Sequence, residues 1–216
     1  NARSEDVFVC TFVKAGTTWT QQILKLLLNN GTETDQIYAN AVPWLEALTS
    51  ELLSSREAPG HTVESITSTE GRRCLKSHAT VEHLPGGLRS GAKVIYLARN
   101  PKDSVVSLFH HASNKPEFGF SGSFQDMLYL FLTGQAENGS WFNHVLGWYN
   151  ASKEKPDQVL FMTYEDLYED TPAGIRTIAR FLGLSVDDAT VEQVATRSSI
   201  EAMRQTNDIG FNHLRK

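Results

Sequence analysis

Residues 6–19, Asp6-Val-Phe-Val-Cys-Thr-Phe-Val-Lys-Ala-Gly-Thr-Thr-Trp19, decide the fold class of this chain. The run Asp6–Phe12 is short and apolar, which is typical of a strand buried in a parallel sheet. After it, apolar side chains recur at helical spacing, namely Trp19, Ile23, Leu26 and Leu27. The stretch Asn29-Asn30-Gly31 is a signal for the end of a helix. The sequence therefore predicts a strand, a tight turn and a helix.

The turn Val13–Trp19 has the composition of a phosphate-binding loop. A phosphate binds at a helix N-terminus, where backbone N–H groups have no partner. Gly16 allows close approach of the backbone, Thr17 and Thr18 add hydroxyl donors, and Lys14 adds a positive charge. The loop is not a Walker A motif, because Lys14 precedes Gly16 and no predicted strand ends in an Asp placed to hold Mg²⁺. The alternative is an ordinary helix start with a solvated lysine.

The rest of the chain alternates strands with helices. Further strands are predicted at Arg73–Lys76, Lys93–Ala98 and Gln158–Thr163. Helices are predicted at Pro43–Leu53, after the cap Asn100-Pro101, at Ser123–Leu132, at Ser140–Ser152 and from Glu165 onward, with Ser54–Gly71 as a loop-rich connection. This alternation predicts an α/β fold, with a central parallel sheet covered by helices on both faces. Ligands then bind beyond the carboxyl ends of the strands.

Composition and charge exclude several classes of protein. The chain has 216 residues and 40% apolar residues, which suits one folded domain. A net charge of −5 argues against a nucleic-acid partner over a wide face. Two cysteines, Cys10 and Cys74, form neither a disulfide framework nor a CxxC zinc pair, so no metal site is expected. The longest apolar stretch, Leu24–Leu28, is too short to span a membrane.

Five segments, in order, carry a family resemblance. Val13–Trp19, Leu75–His78 and Tyr96–Ser107 together closely resemble the cytosolic-type sulfotransferases, which use 3′-phosphoadenosine 5′-phosphosulfate (PAPS). Thr163–Asp166 resembles the Tyr-Glu-Asp stretch of that family, and Leu214–Lys216 resembles the start of its Arg-Lys-Gly segment. The similarity runs over nearly the whole chain. It implies a single sulfotransferase domain over residues 1–216 with a P-loop-like strand-loop-helix and an incomplete C-terminal end.

The resemblance also implies which residues contact the nucleotide. The 5′-phosphosulfate is expected on the loop residues Lys14, Ala15, Gly16, Thr17 and Thr18, with Trp19 stacked on adenine. The remaining contacts are expected from Arg99 and Ser107 on the 3′-phosphate, Tyr164 on the adenine side, and Arg215 and Lys216 closing over the 3′-phosphate. Ser198 occupies the Thr-Ser-Phe region of the family and is also expected to bind the nucleotide. Two positions depart from the family: Ala15 stands where many members have Ser, and Ile200 replaces an aromatic residue.

Sulfonate transfer requires a base for the acceptor hydroxyl and positive charge at the leaving phosphate. His78 is the candidate base, because a neutral imidazole has its pKa near working pH. Lys14 is the candidate for the leaving oxygen. Lys76, two residues before His78, is expected on the same side of its strand. The pair His110-His111 is interpreted as wall or surface residues, because helix neighbours point to different faces. His144 shows no partner spacing.

The predicted function is transfer of a sulfonate group from PAPS to a hydroxyl of a small, lipophilic acceptor, without a metal. The product nucleotide is adenosine 3′,5′-bisphosphate (PAP). The alternatives are a magnesium-dependent nucleotide kinase or hydrolase, and a catalytically silent nucleotide-binding scaffold. A homodimer and a cytoplasmic location are expected. Three glycosylation sequons, at Asn30, Asn138 and Asn150, leave a secretory location open if an N-terminal anchor had been removed.

Overall fold

The computed structural model describes residues 2–49, 60–115 and 118–205. Four strands form one sheet: β1 (Val7–Thr11), β2 (Cys74–Ser77), β3 (Lys93–Ala98) and β4 (Val159–Thr163). All pairings are parallel and the spatial order is β2-β1-β3-β4. The four predicted strands are therefore confirmed. Parallel pairing brings all four carboxyl ends to one edge of the sheet.

Helices connect the strands and cover the sheet. Between β1 and β2 lie α1 (Thr17–Leu28), α2 (Tyr38–Ala41) and α3 (Val63–Ser68). Between β3 and β4 lie α4 (Pro101–Ser113), α5 (Phe124–Leu132) and α6 (Trp141–Glu154). After β4 come α7 (Tyr164–Glu169), α8 (Thr171–Leu182), α9 (Asp188–Arg197) and α10 (Ile200–Gln205). Short 3₁₀ helices lie at Leu45–Thr49, Val81–His83 and Gly87–Ser90.

Alternate strand residues enter different cores, because successive side chains of a strand point to opposite faces. On one face Val9, Ile95 and Leu97 are buried with side chains of α1, α8 and α9. On the other face Phe8 and Tyr96 are buried with Trp148 and Ala151 of α6. The predicted coverage of both faces is confirmed. A third core lies beyond β1, where Phe12 and Val13 pack with apolar side chains of α4 and α5.

Local capping explains where α4 begins. The side chain of Asn100 accepts a hydrogen bond from the Lys102 amide at 2.9 Å, and Pro101 occupies the first turn. Both features were expected from the sequence. They place Arg99 at the junction of β3 and α4.

Two predicted segments differ from the structure. Pro43–Leu53 was expected to be a helix, but its described part forms a 3₁₀ helix over Leu45–Thr49. Ser54–Gly71 was expected to be a loop-rich connection, and its described part contains the short helix α3. A reciprocal capping box between Thr62 and Ser65 starts that helix. Among the described residues, no helix is long and apolar enough to cross a bilayer.

Candidate functional site

The carboxyl edge of the sheet gathers the predicted site residues. Lys14 follows β1, His78 follows β2, Arg99 follows β3 and Tyr164 follows β4. In the register, Cys10 lies opposite Ser77, and this brings the ends of β1 and β2 together. The site is thus built from positions that are far apart in sequence but adjacent along one edge.

The phosphate loop has a backbone that leaves the start of α1 open. Gly16 has φ of 100° and occupies the N-cap position, where the helix has no side-chain cap. The first backbone N–H groups of α1 therefore lack an intrahelical acceptor and suit an anion. A Cβ at Gly16 would lie 2.8 Å from Cδ2 of Tyr164. Lys14 also lies in the left-handed region, with φ of 65°.

Arg99 lies beside the loop. Its Nη1 donates to the carbonyl of Lys14 at 3.2 Å, and its guanidinium lies 4.6 Å from the ring centre of Tyr164. Its Nε is buried and has no hydrogen-bond partner among the described residues. A buried donor without an acceptor costs free energy. This end of the loop therefore suits a further anionic oxygen.

Aromatic rings surround Tyr164 on the same side of the loop. The Trp19 ring centre lies 5.3 Å from that of Tyr164 and 6.5 Å from that of Tyr168. The Tyr164 and Tyr168 rings are nearly parallel, with centres 6.2 Å apart. Tyr168 is exposed and was missed by the sequence analysis, although its i+4 spacing from Tyr164 on a helix was visible. Trp19 and Tyr164, predicted on the adenine side, are brought together.

His78 is buried, and its hydrogen bonds fix its tautomer. Nδ1 lies 2.9 Å from the carbonyl oxygen of Thr11. A carbonyl can only accept, so Nδ1 carries the proton and donates it. The lone pair of the neutral ring therefore lies on Nε2. The Thr11 hydroxyl shares a 2.6 Å hydrogen bond with the Thr17 hydroxyl, which links His78 to the first turn of α1.

The backbone of His78 is held by two side chains. The amide of His78 donates to Oε1 of Glu46 at 2.8 Å, and the Ser77 hydroxyl donates to the same oxygen at 2.6 Å. Nε2 of His144 donates to the His78 carbonyl at 3.0 Å, and Nδ1 of His144 accepts from the Tyr96 hydroxyl at 2.8 Å. His144 is 1% exposed. Sequence reasoning missed the role of His144, because its partners lie on β3 and after β2, far from it in the sequence.

Lys76 and His78 contact the same indole. The Lys76 ammonium lies 4.4 Å from the ring centre of Trp44, and the His78 ring centre lies 5.5 Å from that ring. The expectation that Lys76 and His78 lie on the same side is therefore confirmed. Lys76 is 7% exposed, so its charge acts at short range with little screening by water.

The electrostatics of the site favour a neutral imidazole. Burial, together with the charge of Lys76, lowers the pKa of His78 to about 3, while the hydrogen bond to the Thr11 carbonyl opposes the shift. Burial raises the pKa of Glu137, and the charges of Lys115, Lys76 and Lys14 oppose that rise. The charges of Lys14 and Lys76 act on both groups, so both lysines place positive charge near this edge of the sheet.

The other predicted contacts lie as follows. Ala15 is buried, Thr18 is partly exposed, and Ser107 lies two turns after Arg99 on α4 with a partly exposed side chain. Ser198 is buried at the end of α9, with its hydroxyl donating to the Ala195 carbonyl at 3.4 Å. Arg215 and Lys216 lie outside the described residues. The roles of all these residues stay predictions.

His111 lies beside the predicted loop lysine. The sequence analysis interpreted it, with His110, as a wall or surface residue, and in the structure its Nδ1 lies 3.3 Å from Nζ of Lys14. His110 is exposed, as expected for a helix neighbour on another face. The contact joins the loop after β1 to α4, and no local pattern in either segment predicts it.

A model of the sulfotransferase domain matches residues 4–216. The chain belongs to the sulfotransferase family. A sulfotransferase 1B1 from Canis lupus familiaris is 32% identical over 219 residues, which cover 99% of this chain and 71% of the relative. Family membership decides against the kinase or hydrolase alternative and confirms the predicted class of enzyme.

Solved sulfotransferases share the fold. The crystal structure of mouse sulfotransferase SULT7A1 in complex with PAP is 28% identical, with a TM-score of 0.75, and the match covers 95% of this sulfotransferase and 69% of that chain. A structure described as an Arabidopsis thaliana putative steroid sulphotransferase is also 28% identical, with a TM-score of 0.71, covering 97% of this chain and 73% of the other.

Proposed function

We propose that this sulfotransferase transfers the sulfonate group of PAPS to a hydroxyl of a small, lipophilic acceptor, with His78 as the general base and Lys14 at the leaving phosphate. The observation that carries the proposal is the Nδ1–H bond from His78 to the Thr11 carbonyl at 2.9 Å. That bond puts the ring's lone pair on Nε2. A sulfotransferase of similar fold has been solved in complex with PAP, the product of PAPS.

The residues beside the phosphate loop fit a nucleotide with two anionic groups. The uncapped start of α1 and the Lys14 ammonium suit the 5′-phosphosulfate. Nε of Arg99, which has no hydrogen-bond partner in the part of the chain that the structure describes, suits an oxygen of the 3′-phosphate, with Ser107 two turns further along α4. The Trp19 and Tyr164 rings, 5.3 Å apart, offer apolar surface for adenine.

In the proposed step, Nε2 of His78 takes the proton of the acceptor hydroxyl as its oxygen forms a bond to sulfur. The bond between sulfur and the bridging oxygen breaks, and its electron pair stays on the 5′-phosphate of PAP. Lys14 stabilises the charge that develops there, which is worth most in a site shielded from water. Burial and Lys76 keep His78 neutral before the reaction. An anionic nucleotide bound beside these lysines raises the basicity of His78 when it is needed.

The acceptor contacts are proposed on the side of Trp44. This indole lies against both Lys76 and His78, with ring-centre distances of 4.4 and 5.5 Å to the ammonium and the imidazole. A flat aromatic wall beside the base favours a ring-bearing alcohol or phenol. We further propose that residues 1–216 act as one domain, that the reaction needs no metal, and that the chain forms a homodimer.

The test is calorimetric titration of the protein with PAP and with adenosine 5′-monophosphate. The proposal predicts tighter binding of PAP by at least about tenfold, since charge-assisted hydrogen bonds to the 3′-phosphate are strong. Transfer from PAPS to a panel of phenols and alcohols, with and without a chelator, then tests the reaction. Equal affinity for the two nucleotides would refute the nucleotide assignment. Tight PAP binding with no transfer to any acceptor would support the silent scaffold instead.

A further inference from the structure

We propose that His111 is a positioning residue for Lys14, and this inference rests on the proposed function of Lys14. Nζ of Lys14 lies 3.3 Å from Nδ1 of His111. An ammonium has only donors, so Nδ1 accepts and the proton of the neutral imidazole lies on Nε2. His111 thus binds the ammonium through a lone pair on a neutral ring.

Helix packing directs His111 at the loop. His111 and Ala112 lie three and four positions after Leu108, so each of them is a neighbour of Leu108 on the surface of α4. Leu108 and Ala112 are buried in the same core as Phe12 and Val13, the two residues that lead into Lys14. The core that joins α4 to the end of β1 therefore determines that the side chain on this face meets the loop lysine.

The β3–α4 unit contacts Lys14 at both ends. Nη1 of Arg99 donates to its carbonyl at 3.2 Å, and His111 accepts from its ammonium. The backbone of Lys14 is in the left-handed region, which is unfavourable for a residue with a side chain and requires support from its surroundings. The His111 ring is itself packed against Phe118, with ring centres 5.0 Å apart. Lys14 is thus oriented by neighbours that are themselves fixed.

A neutral partner suits a lysine that must stabilise a leaving group. A carboxylate at this position would offset the charge of Lys14 and compete with the phosphate oxygen for it. An imidazole lone pair occupies one of the three N–H donors and leaves the net charge unchanged. His111 therefore fixes the place of the charge without reducing it, which is the requirement for electrostatic preorganisation.

The variants that test this are His111→Leu and His111→Asn, with His110→Leu as the matched control. Leucine removes the acceptor, whereas the side-chain oxygen of asparagine lies near the position of Nδ1. Two properties are measured: kcat and KM for PAPS, and the rate at which Lys14 is acetylated by a water-soluble active ester. The protein is acetylated in the absence of nucleotide, and its peptides are analysed by mass spectrometry. The acetylation rate of Lys14 is expressed relative to that of the exposed Lys102.

In His111→Leu we expect kcat to fall about tenfold, with KM for PAPS changed much less, because a hydrogen bond to a charged group is lost. The relative acetylation rate of Lys14 should change by at least about threefold for the same reason. His111→Asn should restore most of both properties, and His110→Leu should leave both unchanged.

Three outcomes decide the inference. Unchanged acetylation and kcat in His111→Leu overturn it. Equal losses in His111→Asn and His111→Leu also overturn it, because they indicate a packing role. If His111→Leu changes the acetylation of Lys14 while Lys14→Met keeps full turnover, the proposed function of Lys14 fails, and the contact with His111 stands.

Discussion

The two edges of the sheet differ in the partners of their buried charged side chains. At the amino edge, Arg73 donates to both carboxylate oxygens of Asp6, at 2.8 and 2.5 Å, and the two residues are 6% and 0% exposed. At the carboxyl edge, Lys14 lies against the His111 ring, Lys76 against the Trp44 ring and Arg99 against the Lys14 carbonyl, and the charges of Lys14 and Lys76 also act on the Glu137 carboxyl. Breaking the pair at the amino edge leaves a buried charge and destabilises the fold. The several cations gathered at the carboxyl edge attract an anionic ligand.

The largest expected effect is at the carboxyl edge, in His78→Asn. Asparagine keeps a donor for the Thr11 carbonyl but has no basic lone pair. We expect kcat to fall by about 10²–10⁴-fold, the range that a general base supplies. PAP affinity, measured by titration calorimetry, should stay close to that of the wild type. Full turnover in this variant would show that another group accepts the proton.

The next effect is at the amino edge, in Asp6→Asn. This change leaves the Arg73 guanidinium buried without its counter-charge, so the free energy of unfolding should fall by about 3–5 kcal/mol. Urea denaturation measures it. The exposed pair of Arg176 and Asp188 is the control, because removing it with Arg176→Gln should cost about 1 kcal/mol or less. Equal losses in the two variants would contradict the distinction between buried and exposed pairs.

A smaller effect is expected in Arg99→Gln. Glutamine removes the positive charge beside the Lys14 carbonyl and the Nε that has no described partner. PAP should bind about 10–100-fold more weakly, whereas adenosine 5′-monophosphate should lose little affinity, because only PAP has a 3′-phosphate. Titration calorimetry with both nucleotides measures the difference. Parallel losses for the two nucleotides would place Arg99 elsewhere in the site.

The smallest effect over a single step of the measurement is a pH dependence of stability, because it is spread over several pH units. Burial lowers the pKa of His78 from 6.5 to about 3, so the unfolded chain takes up a proton between these values and the folded chain does not. The contribution of His78 to the free energy of unfolding is therefore fully present above pH 6.5. It is lost as the pH falls toward 3, by up to about 1.4 kcal/mol per pH unit. Urea denaturation at several pH values should show a shallower slope for His78→Asn than for the exposed-site control His110→Gln. Identical slopes would contradict the burial of a neutral His78.

Much of the fold could be predicted from the sequence, because it depends on local patterns of residues. The apolar run before Lys14 predicts a buried strand, the Gly16-Thr17-Thr18 turn predicts an open helix start, and Asn100-Pro101 predicts the cap of α4. The connection after Ser54 was harder, since α3 depends on a capping box between Thr62 and Ser65 that is short and polar.

By itself, the sequence determined the succession of strands and helices and the candidate phosphate loop with Lys14, because these depend on neighbouring residues. The resemblance to the family added Arg99 as a candidate and supported His78. Only the tertiary structure decided the partners of those candidates. His144 reaches the His78 carbonyl across 66 residues, and His111 reaches Lys14 across 97 residues. Such contacts depend on which helix face packs on which strand end, and side-chain packing sets that only when all layers are assembled.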